Sequence, residues 1–158
     1  MFSVPFISSF VVALVAIAGV RAETHTITFN NACGRGTPTL VSQNGAILST
    51  GGPFTSNGPI VGAIAYLQTG GCGLNGENCL TVETSLINGA GRSSTDLTLI
   101  PPHAFQITTG FGYFSGCDGA GADCTGPNCN TAFHVPSDTF VQVGCSADNV
   151  NLVITFCL

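Results

Sequence analysis

The sequence predicts a single disulfide-stapled α+β domain, mainly an antiparallel β-sheet with short flanking helices. Three observations predict it. Apolar residues recur at period two through most of the chain, as half-buried strands require. Eight cysteines, an even number, are spread between positions 33 and 157. One segment, 59–68, instead carries its apolar residues at helical spacing.

The chain opens on an almost wholly apolar stretch from Phe6 to Val20, followed by Val20-Arg21-Ala22. Small residues at the two positions that a signal peptidase inspects mark residues 1–22 as a cleaved secretory leader. The stretch is shorter than the about 20 apolar residues of a membrane span. The expected mature domain is therefore 23–158, secreted, with no membrane span.

Within it, Ile27 and Phe29 alternate with Thr26, Thr28 and Asn30, and Leu80, Val82 and Leu86 alternate with Thr81, Glu83 and Ser85. The same alternation marks Leu97 and Leu99, Phe105 and Ile107, and Val150, Leu152, Ile154 and Phe156. Asn44-Gly45, between Leu40 and Leu48, predicts a hairpin, because a type I′ turn needs two residues that tolerate positive φ. A second hairpin is expected to join Thr139–Val143 to Val150–Phe156 through Ser146–Asn149, placing the C-terminus inside a sheet. After Ser56-Asn57-Gly58, Pro59 suits a first helical turn; Ile60, Ala63, Ile64 and Leu67 follow at helical spacing until Gly70-Gly71. These predict a helix over 59–68 docked on the sheet by that stripe.

Charge narrows the function. Three basic groups face eight acids and there is no lysine, which excludes an electrostatic nucleic-acid binder. Charged residues make up only 7%, against roughly 25% in ordinary domains, so stability must be drawn from elsewhere. Cysteines behind a secretory leader supply it as a disulfide framework: Cys33, Cys72, Cys79, Cys117, Cys124, Cys129, Cys145 and Cys157. Their spacing lacks the paired two-residue gaps of zinc ribbons. Cys33 with Cys157 and Cys72 with Cys79 are the favoured pairs; the remaining connectivity is open.

From Gly110 to Asn130 the sequence reads as a glycine-rich loop held by three cysteines. Such a loop presents side chains for function. A sugar ring offers an apolar C–H face to an aromatic and a rim of hydroxyls to amides and carboxylates. Phe111, Tyr113, Asp118, Asp123 and Asn128 supply those types and are the expected ligand-binding residues. A satellite core of buried aromatics beneath a long loop is the plainer alternative.

Catalytic constellations compete with this reading. Glu77, Glu83, Asp96, Asp118 and Asp123 contain the carboxylates a glycosidase pair would need, but nothing in their spacing shows that any two converge. His25 near the expected mature terminus, with His103 or His134, has the donor types of a copper site, yet Glu23 and Thr24 precede it. No Gly-x-Ser-x-Gly elbow is present, and Asp118 to Asp123 lacks the later ligands of an EF-hand. No catalysis, metal or cofactor is expected. There is also no Asn-x-Ser/Thr sequon.

Two resemblances add to this. His25-Thr26-Ile27-Thr28-Phe29-Asn30-Asn31, Cys33-Gly34, Gly36-Thr37-Pro38-Thr39-Leu40, Ile100-Pro101-Pro102-His103-Ala104-Phe105 and Gly110-Phe111-Gly112-Tyr113-Phe114 resemble small secreted "glycopeptide"-type proteins of mushroom-forming fungi, a family that includes an ink-cap glycan-binding lectin. This implies a lectin-like domain, helices flanking a β-sheet, that recognises a GalNAc- and fucose-containing glycan without hydrolysing it. Its partners would be glycans or glycoproteins, and edge strands could pair two copies into a homodimer. A weaker similarity is to thaumatin-like proteins, carried by Thr28-Phe29-Asn30-Asn31-Ala32-Cys33 and by Gly116-Cys117-Asp118, Gly121, Cys124, Thr125-Gly126 and Cys129. It implies a β-sandwich that binds or hydrolyses β-1,3-glucan in an acidic cleft. The chain departs from that pattern: it lacks a phenylalanine after Cys117, has Pro127-Asn128 where an aspartate is expected, and is shorter with half the cysteines. A secreted effector or structural protein without a sugar site is the remaining alternative.

Overall fold

Alternating apolar and polar residues build twelve strands among the described residues of the computed structural model, which are 22–89 and 92–158. The expected leader over 1–22 lies outside them apart from Ala22. Strands β1 (His25–Asn31), β4 (Phe54–Ser56), β8 (Thr109–Phe114), β9 (Gly121–Cys124) and β12 (Asn151–Phe156) form one sheet in the order β4-β1-β12-β8-β9. Strands β2 (Thr37–Val41), β3 (Ile47–Ser49), β5 (Ile60–Gln68), β6 (Thr81–Leu86), β7 (Ser93–Thr98) and β10 (Ala132–Phe133) form the other, ordered β10-β7-β6-β5-β2-β3. Strand β11 (Val143–Cys145) joins β7 as well.

The inner faces share one core. Ile27, Phe111, Tyr113, Leu152, Ile154 and Phe156 from the first sheet meet Leu40, Ala65, Leu67, Val82, Leu86 and Leu97 from the second. Two layers packed over one apolar interior make a β-sandwich. A smaller cluster of Val41, Tyr66 and Cys79 lies on the outer face of the second sheet, partly covered by Ile64 and Cys72. The first and last described strands meet in the first sheet, where β1 and β12 run parallel with Ile27 beside Leu152 and Asn31 beside Phe156.

The α+β expectation is overturned. No α-helix occurs among the described residues, and the one complete helical turn is the 3₁₀ segment Thr139–Val141. Residues 60–68, expected as a helix, are strand β5. The cause is a bulge: Ile60 pairs with Leu86 and Ala63 with Thr84, so two residues of β5 stand opposite Ser85 alone. Ile60 and Ala63 therefore both face the core, three residues apart, and Ile64 adds an outward apolar contact. A bulged strand thus imitates the 60, 63, 64, 67 stripe of a helix. Gly62, with φ of +58°, supplies the left-handed residue at the bulge.

Other elements differ in the same spirit. The Leu40–Leu48 hairpin forms as β2 and β3, but its loop is longer than two residues: Ser42 N–H donates to Ala46 O and Gly45 N–H to Ser42 O, each at 2.9 Å. Only Gly45 of the Asn44-Gly45 pair takes positive φ. The second expected hairpin does not exist, because β11 pairs with β7 in one sheet and β12 with β1 and β8 in the other. Residues 110–124, expected as loop, are largely the β8–β9 hairpin.

The four disulfides are Cys33–Cys157, Cys72–Cys79, Cys117–Cys145 and Cys124–Cys129, and no described cysteine is free. Cys33–Cys157 spans 124 residues and Cys124–Cys129 spans 5. Stabilisation by a cross-link grows with the logarithm of the loop it closes. Replacing both Cys33 and Cys157 by alanine should cost about 3 kcal/mol more than replacing both Cys124 and Cys129. Urea unfolding of the two variants checks this; equal losses would contradict it.

Candidate functional site

On the central strands of the seven-stranded sheet, inward and outward positions alternate. Thr84 and Thr95 turn inward and share a hydrogen bond of 2.7 Å in the interior. Their neighbours Glu83 and Asp96 consequently turn outward, and they stand directly opposite one another on β6 and β7. Gln142, just before β11, completes the row beyond Asp96. The edge is fixed from inside: the buried Tyr113 hydroxyl donates to Val143 O at 2.9 Å and lies 2.9 Å from Thr95 Oγ1.

Two carboxyls directly opposite on adjacent strands repel each other. Asp96 bears the consequence. It is only 6% exposed, and its Oδ1 is buried with no hydrogen-bond partner. Burial, then the charge of Glu83, pushes its carboxyl up to about 7 against the opposing effect of the Gln142 side chain. Near neutral pH a large share of the molecules therefore carries a proton on Asp96, so the row can present a hydroxyl donor beside carboxylate and amide acceptors. Ser85, Ser94, Thr84 and Gly62 complete a cleft of about 210 Å³. Apart from Gly62 every side chain in its lining carries a hydrogen-bonding group, which suits a ligand rich in hydroxyls.

Glycoside hydrolysis asks for carboxyls flanking the bond from either side. Here both rise side by side from one sheet face. Of the other carboxylates considered, Asp118 accepts from the backbone N–H groups of Ser115 and Gly116 at 3.2 and 3.1 Å. Glu77 is held below the usual carboxylate range by its own backbone N–H and by the Asn75 side chain. Asp123 lies on β9, and its carboxylate covers the place a Cβ on Gly110 would take.

The sequence-expected binding residues are not gathered into one group. Phe111 and Tyr113 are core residues, 5% and 3% exposed, in an edge-to-face pair. Phe111 and Asp123 border a shallow cleft beside Gly112 and Thr131, whereas Tyr113, Asp118 and Asn128 are absent from its lining. Asp118 caps a turn and Asn128 is exposed in the short loop closed by Cys124–Cys129. Period two explains the aromatics: Phe111 and Tyr113 alternate with Gly110 and Gly112, and in a strand that phase points them together to the core.

The copper arrangement is overturned by His25 itself. Its ring is fully buried, with Nδ1 2.6 Å from Val150 O and Nε2 3.1 Å from Glu23 Oε1. Glu23 Oε1 also accepts the Asn88 N–H at 2.7 Å, and that bond, with the one from His25, holds the Glu23 carboxyl below its usual range. Neither ring nitrogen faces a ligand. Among the described residues no three His, Cys, Asp or Glu side chains gather as metal ligands.

No family model and no curated protein matches the chain. Solved structures do. The thaumatin-like xylanase inhibitor TLXI matches with a TM-score of 0.55 at 20% identity, covering 85% of this chain and 99% of that one. The protein elicitor MoHrip2 from Magnaporthe oryzae matches with a TM-score of 0.53 at 14% identity, over 87% and 100%. At these identities the likeness is one of fold. It favours the thaumatin-like resemblance and the β-sandwich that this resemblance implies; the mushroom glycopeptide-type resemblance gains no support from it.

The Asp96 shift has a stability consequence of known sign. A carboxyl whose folded pKa rises from 3.8 to about 7 leaves the fold undisturbed below pH 4 and destabilises it progressively as pH climbs to 7. Asp96→Asn removes the buried charge and its repulsion with Glu83. Its melting temperature should match that of the parent at pH 4 and exceed it by about 3–6 °C at pH 8. A thermal scan at the two pH values reads this directly, and a variant less stable at pH 8 would refute the assignment.

Proposed function

We propose that this chain, on its thaumatin-like fold, is a secreted polysaccharide-binding protein that does not cleave its ligand, and that β-1,3-glucan is the ligand class. The observation that carries the reading is the outward row of Gln142, Asp96 and Glu83 with an Asp96 oxygen that is buried and without a hydrogen-bond partner. A neutral polysaccharide offers both donors and acceptors to such a row and places no like charge against it. The neutral serines around the row continue the same chemistry. A GalNAc- and fucose-containing glycan would ask for the same hydroxyl contacts, so lectin activity toward glycoproteins belongs in the same assay.

The mature domain boundary belongs to this proposal. Glu23 is tied into the fold by His25 and Asn88, and Thr24 N–H donates to Asn149 Oδ1 at 3.0 Å. Ala22 is exposed. Processing after Ala22 would therefore keep every tied residue, and an intact mass beginning at Glu23 is the expected result.

Binding should follow the Asp96 proton. Affinity of the mature protein for soluble β-1,3-glucan, measured calorimetrically, should fall as pH rises from 6 to 8. Asp96→Asn should flatten that profile, and Glu83→Ala should weaken binding by about tenfold or more. Absence of binding to β-glucans would refute the glucan reading, and binding on a glycan array alone would move the site to the lectin ligand. Release of reducing sugar that Glu83→Gln abolishes would make the protein a hydrolase.

A further inference from the structure

We infer that the ligand track crosses the β5 bulge into a second, uncharged ring site, so that the chain takes an oligosaccharide longer than one cleft can hold; this rests on the glucan reading of the carboxylate row. The bulge is what joins the two. With Ile60 and Ala63 both buried, Val61 and Gly62 both lie on the solvent side, Val61 being 48% exposed. Gly62 borders the carboxylate cleft. Val61, its neighbour, borders a second cleft of about 450 Å³. Gln43 also lines this second cleft, and its stem comes within 3.3–3.4 Å of the place a Cβ on Gly62 would occupy. The clefts share no lining residue but come next to each other where Val61 is bonded to Gly62 and Gln43 lies against Gly62, the second cleft reaching in from there to Ile60 and Ala63.

Lining chemistry names the ligand. None of the residues around the second cleft is ionisable. Half-buried Phe54 and Leu48 offer apolar surface, and Gln43 and Ser56 bring an amide and a hydroxyl. An apolar patch rimmed by neutral hydrogen-bonding groups matches a pyranose ring, with its C–H face and hydroxyl edge. A phosphate or carboxylate would find no cation here. Size points the same way. The carboxylate cleft, at about 210 Å³, falls below the ~300–1,000 Å³ of small-ligand sites, and the second cleft, at about 450 Å³, lies within that range. A glucan chain lying across the bulge would use both.

Calorimetry with β-1,3-linked glucose oligomers of three and six units tests this on the mature protein, together with Val61→Arg and Gln43→Ala. The six-unit oligomer should bind about tenfold more tightly than the three-unit one. Each variant should reduce that gain to less than about twofold while leaving the three-unit affinity unchanged. A melting temperature equal to the parent's identifies a variant that has kept its fold, and two variants on different elements guard against the loss of either. Equal affinity for the two oligomers, or a gain that survives both variants, overturns the inference while the carboxylate site stands. Binding of neither oligomer removes the glucan reading and this inference with it.

Discussion

One extra residue in β5 sets the phase of the strand on which the larger sheet depends. Strand β5 is hydrogen-bonded to β2 on one side and β6 on the other. Its apolar residues reach the core as Ile60 before the bulge and Ala63, Ala65 and Leu67 after it. Without the extra residue one half of the strand would turn its apolar side chains to water, since a one-residue slip exchanges the faces of a strand. The bulge also leaves Gly62 N–H outside the ladder, where it donates to Ser85 Oγ at 3.0 Å. Core, outer face and cleft wall are thus fixed by the same irregularity.

The bulge also marks the limit of what the sequence discloses. Period two correctly marks β1, β6 and β12, because those strands run without interruption between one buried and one solvated face. It fails at β5, where Ile60, Ala63, Ile64 and Leu67 fall into helical spacing. Gly62 and the β-branched Ile60, Val61 and Ile64 were the opposing signals, since glycine inside a strand marks a bulge. The Gly110–Asn130 segment misleads for a related reason: Gly110 and Gly112 belong to β8, and the alternating Phe111 and Tyr113 are what that strand buries. Strand β11 joins β7 and not β12, a pairing that local spacing cannot disclose because it carries no information about which sheet a strand will join.

The carboxylate row was legible only by halves. Glu83 and Asp96 each occupy a polar position in a period-two run, which predicts that each faces solvent. Their meeting depends on the β6–β7 register, which places Glu83 opposite Asp96 and Val82 opposite Leu97. That register is held from below by the Thr84–Thr95 bond and by the Tyr113 hydroxyl. Tyr113 thus serves the outer face from the interior: a residue whose type suggests ligand contact contributes by fixing the edge strand that carries Gln142.

The parallel pairing of β1 with β12 has a consequence for how the molecule is made. Strand β12 is the last of the described strands to be synthesised, yet it lies at the centre of its sheet and is flanked by β1 and β8. During synthesis β1 has only the short edge strand β4 to bond with, and Cys33 has no partner until Cys157 emerges. The five-stranded sheet therefore cannot close, and its longest cross-link cannot form, until β12 and Cys157 have been made. Any truncation near the C-terminus would remove the middle of a sheet, leaving two unpaired edges facing each other across the gap.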